Sequence, residues 1–312
     1  MRIVFMGTPD FAVASLDRLV KNQKDIVAVV TSPDKPAGRG QKLNESAVKK
    51  YAVENKLLVL QPEKLKDPAF IETLQHLNAD LFIVVAFRML PEMVWTMPKL
   101  GTFNLHGSLL PQYRGAAPIN WAILNGEKES GVTTFFLKHE IDTGSIIHQA
   151  KTTIHEQMNA GELHNTLMEI GAELVLQTVN EIEQNNVHPI SQEETMKRNG
   201  LKESDLKHAP KIFKEDMNIN WDRTAKEVYQ HIKGLSPYPT AFTQLNQLGL
   251  KIYDAQISEN LSLAPGEYKT DGKTFLKFQC KDDSISITDL QLEGKKRMLI
   301  QDFLRGFSNS KF

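Results

Sequence analysis

For about its first hundred residues the chain alternates short apolar runs with stretches whose apolar side chains recur at helical spacing. That alternation is the pattern of βαβ units and constrains this part of the chain to an α/β fold with a mostly parallel sheet. Predicted strands fall at residues 2–6, 25–30, 57–60, 80–86 and 102–105, and predicted helices at 10–21, 45–55 and 68–77. Pro9, after Thr8, suits the first turn of a helix, where its missing N–H costs nothing.

A helix at about 116–124, strands near 132–137 and 146–153, and a long helix over 160–182 follow. The pattern then stops. Residues 184–211 are polar and turn-rich and read as a linker. After a predicted helix at 221–232, short strands at 241–245, 251–257, 274–279 and 284–292 are separated by Gly249, Pro265-Gly266 and Asp271-Gly272. That spacing suggests a small antiparallel barrel or sandwich. With 312 residues, two domains are expected.

Composition excludes several classes. The single cysteine, Cys280, can form no internal disulfide, which fits a reducing cytoplasm. The N-terminal apolar run is too short for a signal peptide, and no stretch approaches the ~20 apolar residues of a membrane helix. The nine histidines and one cysteine show no metal-ligand spacing, so no metal is expected. Net charge is −1, but from Lys207 onward 16 basic residues face 13 acidic ones, a slight basic bias toward a polyanion.

The first strand runs into Gly7-Thr8-Pro9-Asp10, where a dinucleotide fold would carry three glycines; only Gly7 is present, which argues against a nicotinamide or flavin site. More informative is Asn104-Leu105-His106 at the end of a predicted strand. Side chains two apart share a face, so an amide and an imidazole would meet at the sheet edge where open α/β sheets bind ligands. Such a pair can steady an oxygen gaining negative charge and move a proton at neutral pH. Asp142, in Asp142-Thr143-Gly144, is a third candidate, able to orient the imidazole or help with a proton. The same residues also suit a satisfied histidine and an ordinary turn. Ser108 lacks the Gly-x-Ser-x-Gly turn of a hydrolase nucleophile.

Asn-x-His, Ser108-Leu109-Leu110-Pro111, Tyr113-Arg114-Gly115-Ala116-Ala117-Pro118 and the Asp-Thr-Gly together resemble the 10-formyltetrahydrofolate-dependent formyltransferases. The opening Phe5-Met6-Gly7-Thr8-Pro9-Asp10, Pro33 to Gly40, Gly234-Leu235-Ser236-Pro237-Tyr238-Pro239 and Gly294-Lys295-Lys296-Arg297-Met298 extend the match to the methionyl-tRNA formyltransferase family across nearly the whole chain.

The resemblance implies a Rossmann-like catalytic domain at 1–184, a linker at 185–206 and an OB-like, tRNA-binding β-barrel at 207–312. It implies that Asn104 and His106 stabilise the oxyanion, that Asp142 and His106 manage the proton, and that Ser108, Leu109, Leu110 and Pro111 line the site of the co-substrate 10-formyltetrahydrofolate. Arg39, Lys295, Lys296 and Arg297 would contact initiator methionyl-tRNA, and a cytoplasmic monomer is expected. Phe87-Arg88-Met89 departs from the family's Tyr-Gly at the pterin loop, replacing a flexible glycine by a charged side chain. Formyltransferases acting on amino sugars or purine precursors share the Asn, His and Asp but lack the arginine loop and the tRNA-binding barrel, and a folate- or RNA-binding protein without catalysis would not need the trio.

Overall fold

A computed structural model of the chain describes residues 1–37 and 42–306. The chain forms two compact units. One comprises Met1–Gly115, Ser130–Thr152 and His164–His208; the other comprises Ala116–Glu129, Thr153–Leu163 and the chain from Ala209 onward.

At the centre of the first unit lies a seven-stranded sheet. Arg2–Gly7 is flanked by Asp25–Val30 on one side and Leu81–Val85 on the other, both parallel to it. Val59–Leu60 and Thr102–His106 extend the parallel sheet on either side. Glu129–Phe136 joins antiparallel to Thr102–His106, and Ile146–Thr153 forms the edge. The expected Rossmann-like sheet is therefore present.

Burial explains the continuous apolar runs. All five residues of Leu81–Val85 and five of the six in Arg2–Gly7 are buried, as strands covered by helices on both faces require. Each buried Val, Leu or Ile contributes roughly 1.5–3 kcal/mol. That exceeds the ~1 kcal/mol span of strand propensity, so burial decides the assignment. On one face Val4, Met6, Ala28, Val30, Phe82 and Val84 pack with Phe70, Leu74, Leu90 and Val94. The helices start where their caps lie: the Ser46 side chain accepts from Lys49 N, and Asp67 accepts from Ala69 N ahead of Pro68.

The chain adds strands to one side of Arg2–Gly7, then crosses to the other at Leu81–Val85. This reversal opens a crevice at the carboxyl ends of the parallel strands. His106 is the last residue of one of those strands.

Residues 185–206 hold more structure than a linker needs. A helix, Gln192–Arg198, and a 3-10 turn, Glu203–Asp205, occupy this segment, which belongs to the first unit.

The second unit carries the expected OB-like β fold as a curled antiparallel sheet, in the order Ala241–Leu245, Leu248–Ser258, Ser284–Leu292, Leu276–Gln279 and Tyr268–Thr270. Met298–Leu299 pairs with Ser284–Leu292 as well. The helix Ala225–Leu235 covers the sheet, burying Val228, Ile232 and Leu235 with Leu250, Ile252, Phe278, Ile285 and Leu290. A reciprocal capping box fixes its start: Thr224 Oγ1 accepts from Glu227 N, and Glu227 Oε2 accepts from Thr224 N. Among the described residues no helix is long and apolar enough to cross a membrane.

Candidate active site

His106 sits at the carboxyl end of its strand, 6% exposed. Asn104, two residues earlier on the same face, is half-buried. Among the described residues no protein group hydrogen bonds the Asn104 side-chain amide, which leaves its donors and acceptor for another molecule.

The chain after His106 turns back onto it. Nε2 of His106 donates to the Tyr113 carbonyl at 2.8 Å. A carbonyl oxygen can only accept, so Nε2 carries a proton and Nδ1 is left to exchange one. Tyr113 holds a left-handed φ of +60°.

Asp142 faces that free nitrogen: its Oδ2 lies 3.8 Å from His106 Nδ1 and accepts from Gly115 N at 2.9 Å. The separation is too long for a hydrogen bond. Asp142 also has a left-handed φ, +55°. Its turn fits tightly, because a Cβ on Gly144 would stand 1.6 Å from the Phe136 carbonyl oxygen.

Ser108, Leu110 and Pro111 are buried, and Leu109 is partly exposed. Ser108 Oγ donates to Gln112 O at 2.6 Å. Thr133 Oγ1 donates to Ser108 O and accepts from Leu110 N, while Gln149 Nε2 donates to Leu110 O at 2.8 Å. These four residues therefore form a firmly held wall, with their polar backbone groups largely committed.

Sequence reasoning missed Thr133, Gln149 and Gln192, the residues that hold this region. Gln192 is buried against the Asp142 turn. Ser191-Gln192-Glu193-Glu194 carries the Ser-x-x-Glu signal of a helix start, which could have revealed a helix in the segment read as linker. The Ser191 side chain does accept from Glu194 N, at 3.1 Å.

Arg88 bridges two loops: Nη2 donates to Pro62 O at 2.8 Å and Nη1 to Glu63 O at 3.1 Å. Burial lowers the pKa of its guanidinium.

Of the residues expected at the tRNA, Lys295, Lys296 and Arg297 belong to the second unit. Arg39 lies outside the described residues. Lys295 and Lys296 are exposed on the turn before Met298–Leu299. Arg297 is engaged, forked onto the Asp289 carboxylate with Nη2–Oδ2 at 2.6 Å and lying 4.1 Å over the Tyr253 ring. The Asp289 hydrogen bonds raise its pKa further.

An amide with free donors, an imidazole with one nitrogen open and a facing carboxylate at the end of a parallel strand suit acyl-type transfer to an amine. Residues 1–179 match the family model described as formyl transferase, and residues 211–308 match that of the formyl transferase C-terminal domain. The chain therefore belongs to the formyl transferase family. Within it, the chain belongs with the methionyl-tRNA formyltransferases. It is 52% identical to the methionyl-tRNA formyltransferase of Bacteroides thetaiotaomicron, over 98% of this chain and 96% of that one. It is 54% identical to that of Parabacteroides distasonis, again over 98% and 96%.

Among solved structures, the sugar 3N-formyl transferase WlaRD shares the fold with a TM-score of 0.66 at 21% identity, over 95% of this chain and 99% of that one. HypX from Aquifex aeolicus, in complex with tetrahydrofolic acid, matches with a TM-score of 0.67 at 19% identity. The match covers 97% of this chain but only 47% of HypX, so this chain spans about half of that protein.

Proposed function

We propose that this protein transfers the formyl group of 10-formyltetrahydrofolate to the α-amino group of methionine on initiator tRNA, and so supports translation initiation in the cytoplasm. The observation that carries this reading is the convergence of Asn104, His106 and Asp142 at one strand end, in a chain about half identical over its length to proteins named for that reaction.

The chemistry follows from the geometry. As the amine attacks the formyl carbon, the carbonyl oxygen gains negative charge. The Asn104 amide donates to that oxygen, a contact that strengthens as charge develops. His106 Nδ1 takes the proton the amine must lose, since Nε2 is already committed to Tyr113. The resulting imidazolium is steadied by Asp142, whose carboxylate is held in place by the Gly115 amide. Protonated on both nitrogens, His106 can also donate to the oxyanion, and then to the departing nitrogen of the folate. Ser108, Leu109, Leu110 and Pro111 form the wall against which the folate lies. Lys295 and Lys296 contact tRNA phosphates, positioning the tRNA without reading its sequence, and Arg39 contacts the acceptor end.

The shared fold of WlaRD supports a second reading, with an amino sugar as acceptor. Incubation with 10-formyltetrahydrofolate and, separately, initiator methionyl-tRNA or a nucleotide-linked amino sugar distinguishes the two. Base-stable formylmethionine is the expected product; formyl sugar without formylated tRNA would overturn the tRNA assignment.

A further inference from the structure

Gln192 is 2% exposed, and every hydrogen-bonding position of its amide is used. Nε2 donates to the Asp142 carbonyl at 2.7 Å and to the Gly144 carbonyl at 2.9 Å. Oε1 accepts from Arg114 Nε at 2.9 Å and from Arg114 Nη2 at 2.8 Å. Gln192 is itself well anchored. Ile190 and Ile146 exchange two backbone hydrogen bonds of 2.8 Å just before it, and it opens the helix capped by Ser191.

The turn and the arginine it joins both bear on one carboxylate. Asp142 is held on its backbone side, and Arg114 precedes Gly115, whose N–H donates to Asp142 Oδ2. A non-glycine residue at a φ of +55° persists only where its surroundings over-determine it. The two bonds from Gln192 to carbonyls of that turn supply such a constraint. Glutamate of the same shape would keep the arginine but set a carboxylate oxygen against two carbonyl oxygens, whereas leucine would lose all four bonds.

We propose that Gln192 is a positioning residue, which fixes the Asp142 carboxylate opposite His106 by clamping turn 142–144 to Arg114. Its kinetic consequences rest on the formyl-transfer reading, but its structural ones do not.

Two variants test it, Gln192→Leu and Gln192→Glu. The first readout needs no substrate: hydrogen exchange at the Gly115 amide of the full-length protein, set against the amides of the Thr102–His106 strand. In both variants Gly115 exchange is expected to quicken about tenfold or more while the strand amides keep their protection, as a local opening requires. The second readout is formyl transfer. The value of kcat is expected to fall on the order of 10- to 100-fold, the size of effect that outer-shell hydrogen bonds have on the ligands of metal sites, with both KM values little changed. Gln192→Glu carries the test if Gln192→Leu does not fold, since it keeps the side-chain shape and the arginine contact.

Unchanged Gly115 exchange, equal loss of protection throughout the strand, or an unchanged kcat in an active enzyme would each overturn the proposal. If the wild type transfers no formyl group, the formyl-transfer reading fails while the exchange comparison still decides whether the clamp exists.

Discussion

The Tyr113 carbonyl accepts a 2.8 Å hydrogen bond from His106 Nε2, and this one contact fixes which imidazole nitrogen carries the proton. With Nε2 protonated and tied down, Nδ1 lies 3.8 Å from the Asp142 carboxylate. The left-handed backbone of Tyr113 and that of Asp142 bring the two partners to the same imidazole. A histidine held at one nitrogen and left free at the other is suited to taking and returning a proton without reorienting.

Asn104 has a different task, and its loss should read differently. Its amide has no protein partner among the described residues, so Asn104→Ala disturbs little else and, in the proposed mechanism, removes the donor to the reacting oxygen. Loss of one oxyanion donor costs about 2.7–4 kcal/mol of barrier. Steady-state kinetics of Asn104→Ala should show kcat lowered on the order of 10²- to 10³-fold with KM nearly unchanged. A rise in KM alone would mean that Asn104 only binds.

Gly144→Ala should damage the site through the backbone. The added methyl would stand 1.6 Å from the Phe136 carbonyl oxygen, so the turn carrying Asp142 must move. A lowered Tm in calorimetry together with lost formyl transfer is expected, and an unaltered Tm would show that the turn adapts freely.

Much of this was legible beforehand. Residues 10–21, 25–30, 146–153, 241–245 and 284–292 form the predicted elements with the same bounds, because continuous burial or regular alternation leaves a clear period. Asn104 and His106 were legible as a pair because strand periodicity puts residues two apart on one face. What could not be seen was the tertiary return of the chain: that Tyr113 would close on His106, or that Gln192 would reach Asp142 from 50 residues away. Polar contacts of that kind leave no period in the sequence. Short elements such as Tyr268–Thr270 and Met298–Leu299 were missed because two or three residues cannot display one.

In the second unit, Phe278 is 1% exposed and stacks on Trp221 with ring centroids 4.7 Å apart. Phe278→Ala should therefore lower stability by about 3–5 kcal/mol, the usual cost of a buried aromatic removed from a core. Chemical denaturation followed by tryptophan fluorescence measures it directly. A cost below ~1 kcal/mol would mean that the sheet repacks around the gap.

Asp271 links stability to acid. Hydrogen bonds from the Thr274 hydroxyl, and then from the Thr274, Lys273 and Phe275 amides, hold its pKa well below the usual carboxylate range. The depressed folded value means that its contribution is present above the unfolded pKa of ~3.9 and is lost as pH falls from there toward the folded value. Unfolding midpoints of wild type and Asp271→Asn across pH 2 to 6 should show a shallower acid decline in the variant (a window set by the unfolded pKa). Parallel curves would assign the acid sensitivity elsewhere.

The most direct test of the account is the rate at which wild type and His106→Ala form base-stable formylmethionine from 10-formyltetrahydrofolate on initiator and on elongator methionyl-tRNA. Rapid formylation of the initiator, little of the elongator, and a loss on the order of 10²- to 10⁴-fold in His106→Ala are expected, as for removal of a general base. Full activity in His106→Ala, or no formylation of initiator tRNA by the wild type, would contradict it.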